Sequence, residues 1–324
     1  MPRELLLMRH GKSDWSEPLP DFERPITDRG KRGAQRIGVW LLGESLEPDH
    51  VVSSPAERAL VTAQKAIKAM GRSAAGIVRE RRVYDASLGQ LLAVLAEVPA
   101  AAGRVLLVGH NPGLEELLEY LSRQRLETPA NGKLMPTATL ARLEMPDDWQ
   151  RLEAGCARLL SITRGADLPE KFPFPGPGSD DLRDRPAYYY TQSSVIPYRR
   201  HQGELQVLIV SSSKKKHWVV PKGIAGPGHG LQASAGKEAW EEAGVEGDVE
   251  QAAIDSYSYA KWGSTCTVSV FPMQVTRMLT DDEWEESHRG RQWVSPRVAA
   301  MLLKQPELGE IVTAFSRQFE IGSS

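Results

Sequence analysis

Between residues 4 and 122, short apolar runs alternate with segments of helical period. Glu4–Met8, His50–Ser53 and Arg104–Val108 read as strands covered on both faces, because their apolar positions run consecutively instead of alternating with polar ones. Lys31–Leu42, Ala56–Met70, Ser87–Glu97 and Pro112–Ser122 read as helices. Such alternation predicts a mainly parallel sheet with helices on both faces. From residue 188 onward the pattern changes. Strand-like runs at Tyr188–Pro197 and Gln206–Ser211 precede one strong helix, Ala233–Ala243; strands follow at Ser256–Ala260 and Thr265–Val275, then a helix over Pro296–Leu303. That order predicts a second α/β domain built on a mixed sheet. Between the two lies Leu168–Pro186, where five prolines, two glycines and a cluster of charges suggest a linker. The expected division is therefore a domain at 1–167, a linker at 168–187 and a second domain at 188–324.

Length and composition agree with two cores, since 324 residues is about twice a usual domain and 41% are hydrophobic. Lys and Arg total 40 against 42 Asp and Glu, a net charge of −2, so nothing draws the chain as a whole to nucleic acid or an anionic membrane. Any anion site must be local. Cys156 and Cys266 are too few for a disulfide framework or a thiolate metal cage, and they suit a reducing compartment. No run approaches the ~20 apolar residues of a membrane span. A cytoplasmic protein is the expectation.

The first strand ends in Arg9-His10-Gly11, a cation and an imidazole released into a glycine turn. In open α/β sheets that edge is where ligands bind. The second strand runs into Ser53-Ser54-Pro55 with Arg58 just inside the following helix, the strand at 104–108 ends in Gly109-His110-Asn111-Pro112, and Arg24 lies in a loop between. Two imidazoles and three guanidiniums at one edge suit a transferring phosphoryl group: guanidinium forks match its oxygens, and a neutral imidazole can carry it covalently.

These segments resemble the histidine phosphatase superfamily and, within it, its short SixA-like phosphohistidine phosphatases. The resemblance runs through LLLMRHGKSDW (5–15), DFERPITDRG (21–30), VVSSPAERALVTAQ (51–64), LLVGHNPGLEELLEYL (106–121), LMPTATLARLE (134–144) and GCARLL (155–160). It implies an α/β/α sandwich in which His10 is the phosphorylated nucleophile, Arg9 and Arg58 hold phosphoryl oxygens with Arg24 joining them, and His110 stabilises the transition state. No cofactor is implied there. For the general acid Asp85 is the candidate, with a helix N-cap before Leu88 as the competing reading.

Glu238, Glu241 and Glu242 are spaced so that on a helix all three carboxylates share one side. A solvated acidic face is one explanation, and a hard divalent cation with substrate phosphates is the other. Context favours the cation. A strand ending in Pro221-Lys222-Gly223 and a glycine-rich loop precede the helix, and Gly244 stands where a C-terminal glycine belongs. Residues 223–245 resemble the box of the Nudix hydrolases, G-x5-E-x7-R-E-U-x-E-E-x-G-U with U aliphatic, and depart from it at His229 and Lys237, which replace the first glutamate and the arginine. The resemblance, about 188–324, implies a mixed-sheet α/β/α sandwich, magnesium or manganese at Glu238, Glu241 and Glu242, and Glu286 as a further carboxylate. Lys222 is a candidate phosphate ligand, and Lys214-Lys215-Lys216 is either a solvated loop or a steering patch for anionic substrates.

Both halves thus point to phosphorus chemistry. The leading expectation is a two-activity phosphohydrolase. Its Nudix half would cleave diphosphate linkages in nucleotides or related polyphosphorylated metabolites, such as oxidised guanine nucleotides or diadenosine polyphosphates, using magnesium. Its other half would remove a phosphoryl group through phospho-His10 without metal. The alternative is a phosphohistidine protein phosphatase whose Nudix half only senses a ligand. The expected partner is accordingly a small phosphorylated molecule or a phosphoprotein, with no nucleic acid and no membrane; the oligomeric state stays open.

Overall fold

The computed structural model describes residues 2–123 and 134–321. They form two compact units, Met1–Ala187 and Tyr188–Ser324. In the first unit the elements follow as β1 (Arg3–Arg9), α1 (Asp28–Gly43), β2 (His50–Ser53), α2 (Glu57–Ala69), β3 (Val78–Arg79), α3 (Leu88–Ala96), β4 (Arg104–Gly109), α4 (Gly113–Ser122), β5 (Thr139–Met145) and β6 (Arg158–Arg164). The six-stranded sheet has the order β3-β2-β4-β1-β5-β6. Its first four strands are parallel, and β5 and β6 are antiparallel to their neighbours.

β1 shows why its sequence is apolar at every position. Leu5 and Leu7 pack into a cluster with Leu91, Leu95, Leu114 and Leu118 of α3 and α4, whereas Leu6 and Met8 meet Ile37, Leu41, Ala59 and Ala63 of α1 and α2 on the opposite face. Burying both faces places the C-terminal ends of β1, β2 and β4 at one edge. That edge is where Arg9, Ser53 and Gly109 end their strands. Residues 168–187, read above as a linker, group with the first unit. They carry the two-stranded pair β7 (Phe172–Pro173) and β8 (Leu182–Arg183), with Phe172 fully buried and Leu168 packed against the cluster under α1. These two apolar anchors act together with Arg32, which donates to the Glu170 backbone oxygen, to tie this proline-rich stretch to α1.

The second unit contains β9 (Thr191–His201), β10 (Glu204–Ser211), β11 (Trp218–Val219), β12 (Lys222–Ile224), α5 (Leu231–Glu238), β13 (Val245–Val249), β14 (Asp255–Lys261), β15 (Ser264–Met278), β16 (Arg291–Val294), α6 (Pro296–Leu302) and α7 (Pro306–Ile321). Its sheet is mixed: β9 and β15 run parallel, and the remaining pairs are antiparallel. Val195, Leu208 and Val210 face α5, while Ile196, Val207 and Ile209 face α6 and α7. Three local differences from the expected elements stand out. Tyr188–Tyr190, expected to open a strand, lies in a 3-10 turn spanning Ala187–Tyr190. The helix expected over Ala233–Ala243 starts at Leu231 and passes after Glu238 into a π turn at Ala239–Ala243. α7 has no counterpart in the sequence reading, although Leu308, Ile311, Val312 and Phe315 recur at helical spacing and all pack into the core. Among the described residues no helix is long and apolar enough to cross a membrane.

Candidate active sites

At the edge of the first sheet His10 and His110 come together with ring centroids 5.0 Å apart. Gly11 makes the turn possible, because a Cβ there would lie 2.6 Å from the Ile26 side chain and 2.7 Å from the Gly30 carbonyl oxygen. The His10 Nδ1 lies 2.8 Å from the Gly11 carbonyl oxygen. A carbonyl can only accept, so Nδ1 carries the proton and Nε2 keeps its lone pair. His110 is fixed by the same logic. Its Nδ1 stands 3.4 Å from an Arg58 nitrogen that can only donate, so Nε2 is the protonated nitrogen and donates to Ser54 Oγ at 2.9 Å. Both rings are buried. Burial, reinforced by Arg58 and Arg9, pushes His10 down to about 4 against the pull of its Gly11 hydrogen bond. Burial, then His10 and Arg58, pushes His110 down to about 3. At neutral pH both imidazoles are uncharged.

The guanidiniums are placed around them by three different elements. Arg9 ends β1 and donates to the Met135 carbonyl at 2.8 Å, while its Nε is buried without a hydrogen-bond partner. Arg58, in the first turn of α2, donates to the carboxylate of Asp21 at 2.7 Å and to its backbone oxygen. Arg24 reaches the other carboxylate oxygen at 2.6 Å and lies flat over Trp15, 3.5 Å from the ring centroid. Asp21 also accepts from the Tyr84 hydroxyl at 2.9 Å, and the Tyr84 ring stands edge-on to His110. Burial raises the Asp21 carboxyl, but the Arg58 and Tyr84 hydrogen bonds and the charges of Arg58 and Arg24 outweigh it and hold the group below its ordinary value.

Asp85, the candidate acid, is exposed, has a left-handed φ of +50°, and no hydrogen bond or ion pair among the described residues ties it to this group. The competing cap reading also moves: Ser87 caps α3 in a reciprocal pair with Gln90. The carboxylate facing the histidines is Asp21. Sequence reasoning quoted it within the motif around Arg24 but gave it no role, and it likewise missed Ser54 and Tyr84.

In the second unit the carboxylates converge on the loop before α5. Glu238 lies against Gly223, where a Cβ would sit 1.9 Å from its Oε1, so a larger residue there would have to displace the Glu238 carboxylate. Glu242 accepts from the Lys222 amide at 2.9 Å and from Arg289 at 2.7 Å. Arg289, itself nearly buried, also pairs with Glu286, and Glu241 pairs with Lys237. Burial, with Glu242 and Glu241 adding to it, pushes Glu238 up to about 7. Glu242 is raised by burial and by Glu286 against the opposing Lys222 amide and Arg289. Gly244 ends the π turn with a φ of +60°, and a Cβ there would meet Trp284 at 2.6 Å.

Lys222 turns its ammonium to Gln192 at 3.1 Å and to the Tyr259 hydroxyl at 2.7 Å, and burial lowers its pKa. Those two neighbours, not an open pocket, engage the side chain proposed for phosphate. Among the described residues no three His, Cys, Asp or Glu side chains form a ready-made metal cage. The chemistry of the donors nonetheless fits a hard divalent ion: carboxylate oxygens, with Glu238 raised by burial and by the charges of Glu242 and Glu241, and with Arg289 and Lys237 supplying the present counter-charge. Arg289 is the residue sequence reasoning missed here. It sits in the same 285–294 segment as Glu286, 47 positions from Glu242, and no local signal in the sequence joins the two.

The family model of the histidine phosphatase superfamily (branch 1) matches residues 5–93, and that of the NUDIX domain matches residues 190–315. An uncharacterized protein of Mycobacterium tuberculosis (strain CDC 1551 / Oshkosh) is 32% identical over 160 residues, covering 48% of this chain and 98% of that protein. The chloroplastic Nudix hydrolase 21 of Arabidopsis thaliana is 32% identical over 145 residues, 43% of this chain and 72% of its own length. Among solved structures, the protein histidine phosphatase SixA complexed with tungstate is similar at 19% identity and a TM-score of 0.44, covering 51% of this chain and 98% of that one.

Proposed function

We propose, from the premise that this chain belongs to the histidine phosphatase superfamily in its first half and to the Nudix hydrolases in its second, that it is a hydrolase with two working centres for phosphorylated small molecules of the nucleotide class. The observation that carries the reading is the His10 ring, uncharged, tethered through Nδ1 and offering Nε2 beside His110 and Arg58.

In the first centre the Nε2 lone pair of His10 forms a bond to phosphorus as the bond to the leaving group breaks. Arg9, Arg58 and Arg24 offer fixed donors to the phosphoryl oxygens, and His110 Nε2–H, which Ser54 Oγ accepts and orients, would join them by exchanging that partner for a phosphoryl oxygen. Water then adds to phosphorus, the P–N bond returns its electron pair to Nε2, and the proton leaves with inorganic phosphate. Asp21 is held ionised by two arginines and is therefore a poor acid. That favours leaving groups that depart without strong protonation, phosphoanhydrides and phosphoramidates above simple alkyl esters. The phosphohistidine-protein reading draws on this same observation and is the second candidate.

In the second centre Glu238, Glu241 and Glu242 would hold a magnesium-type ion, which when bound neutralises charge on a diphosphate. The chain's own part is to hold these carboxylates in place. Gly223 gives Glu238 room, while Arg289 and the Lys222 amide orient Glu242. Two cysteines in 324 residues, with no disulfide between them, suit a reducing compartment, and on that ground we place the protein in the cytoplasm.

The deciding experiment measures hydrolysis of nucleoside diphosphate-linked compounds and of phosphohistidine protein, with and without magnesium, in wild type, His10→Ala and Glu241→Gln. Loss of metal-free phosphatase turnover only in His10→Ala, and of metal-dependent diphosphate cleavage only in Glu241→Gln, is the expected pattern. If Glu241→Gln changes nothing while phosphohistidine protein is the good substrate, the two-centre reading fails and the second candidate replaces it.

A further inference from the structure

A row of guanidiniums on α1 takes no part in either centre. Arg29, Arg32 and Arg36 are spaced three and four apart, so they share one side of the helix, and the seven steps from the first to the last span about 10 Å of its axis. With Lys12 they line a cavity of about 550 Å³ whose other wall is Pro136–Ala138 and Gly165–Ala166. That volume is typical of a small-molecule site. His10, Arg58 and His110 do not line it.

Charge is what distinguishes this cavity. Four cationic side chains face one carboxylate, Glu170, in a chain whose net charge is −2. Glu170 compensates little, since its side chain is 88% exposed and stands 3.6 Å from Arg36. Arg32 reaches only the Glu170 backbone oxygen, at 2.9 Å. Arg36 is 13% exposed, its Nε is buried without a partner, and its Nη1 makes only a long 3.4 Å contact to the Gly165 carbonyl. Partly buried guanidiniums with unspent donors are costly unless an anion completes them.

The floor is backbone. A Cβ on Gly33 would come within 2.9 Å of the Ala138 Cβ, and one on Gly165 within 2.7 Å of the Gly33 carbonyl oxygen, so glycine at both positions lets the walls close under the row. One phosphate can satisfy two neighbouring guanidiniums, but a row this long calls for several phosphates in line.

We propose that this cavity binds a linear oligophosphate, either free or as the phosphate chain of a nucleotide. The inference rests on α1 and its cavity and does not depend on the chemistry assigned to His10.

The test is calorimetric titration of the full chain with inorganic tripolyphosphate in the presence of a chelator, so that metal at the acidic cluster plays no part, and in an Arg58→Gln background that weakens anion binding beside His10. Arg32→Gln with Arg36→Gln should weaken tripolyphosphate binding by about tenfold or more, with the melting temperature unchanged. If that pair does not fold, Arg29→Gln and Lys12→Gln, both at exposed positions, are expected to weaken binding in the same direction. Tripolyphosphate should also bind more tightly than orthophosphate. A nucleoside triphosphate binding as tightly as tripolyphosphate identifies the bare chain as the ligand, and one binding more tightly identifies a nucleotide. Undiminished binding in the guanidinium variants, or orthophosphate binding as tightly as tripolyphosphate, overturns the proposal.

Discussion

Under the proposed function the two centres would meet the same chemical group, phosphate, from opposite signs of charge. In the first unit two imidazoles and three guanidiniums gather at the ends of parallel strands, and burial among cations drives His10 and His110 down, toward the uncharged form. In the second unit carboxylates crowd a helix and its entry loop, and burial among anions drives Glu238 up, again toward the uncharged form. Each shift comes first from burial, and neighbours of the same sign add to it. Each also says what would relieve it, an anion in the first centre and a cation in the second.

The largest expected break in this comparison is at Arg58. Its guanidinium touches Asp21 and approaches His110, so it sits where an incoming anion would take over its donors. Arg58→Gln keeps a polar side chain and removes the charge. Phosphatase kcat/KM should fall by about 10²–10³-fold, while metal-dependent diphosphate cleavage, measured on the same preparation, should not change. Equal losses in both assays would mean that the fold, and not the anion site, had been damaged.

Next in size is the response to pH, which should separate the centres without any mutation. His10 keeps its Nε2 lone pair until about pH 4, so the acid limb of phosphatase kcat/KM should lie near 4, with no inflection at the ordinary histidine value of 6.5. Glu238, by contrast, takes up a proton below about 7. Apparent magnesium affinity at the second centre should then fall by up to about tenfold per pH unit below that point, read as the magnesium concentration giving half-maximal cleavage. Stability follows the histidines. The unfolded chain protonates them near 6.5 and the folded one only near 4 and 3, so the unfolded state holds more protons in that window and the first unit's chemical-denaturation stability should decline as pH drops from 6.5 toward 4, while the raised Glu238 acts in the opposite sense in the second unit.

How much of this was legible before the structure depends on whether the signal was local. The β1 run, the Arg9-His10-Gly11 turn and the Gly244 stop are written in adjacent residues, and the structure places them as read. Periodicity also carried α7, yet a helix so close to the end of the chain, following a proline, went unassigned. The parts that stayed hidden join residues distant in sequence. Asp21 meets Tyr84 across 63 positions and Arg58 across 37, and Arg289 meets Glu242 across 47. No spacing rule reports such contacts. Asp85 is a candidate through the family resemblance, which implies a carboxylate beyond the third strand; its left-handed turn leaves it exposed, and the carboxylate paired with Arg58 is Asp21. The π turn escaped for a related reason: one turn of wider helix leaves the sequence pattern almost unchanged while re-aiming Glu241 and Glu242.

The smallest expected effect tests whether the uncharged His110 is held by its neighbours or only by packing. Ser54 is fully buried, and its Oγ accepts from His110 Nε2 and from the Ala56 amide at 3.3 Å. Ser54→Ala leaves that imidazole N–H without its partner and frees the ring to rotate toward Arg58. Because no charge is removed, the loss should be modest: about 1–2 kcal/mol of stability by thermal denaturation and about a three- to tenfold drop in phosphatase kcat with KM little changed. The Nudix assay should be unaffected. A Ser54→Ala enzyme with wild-type kcat would show that His110 needs no oriented N–H, and the donor role assigned to it would then pass to the arginines alone.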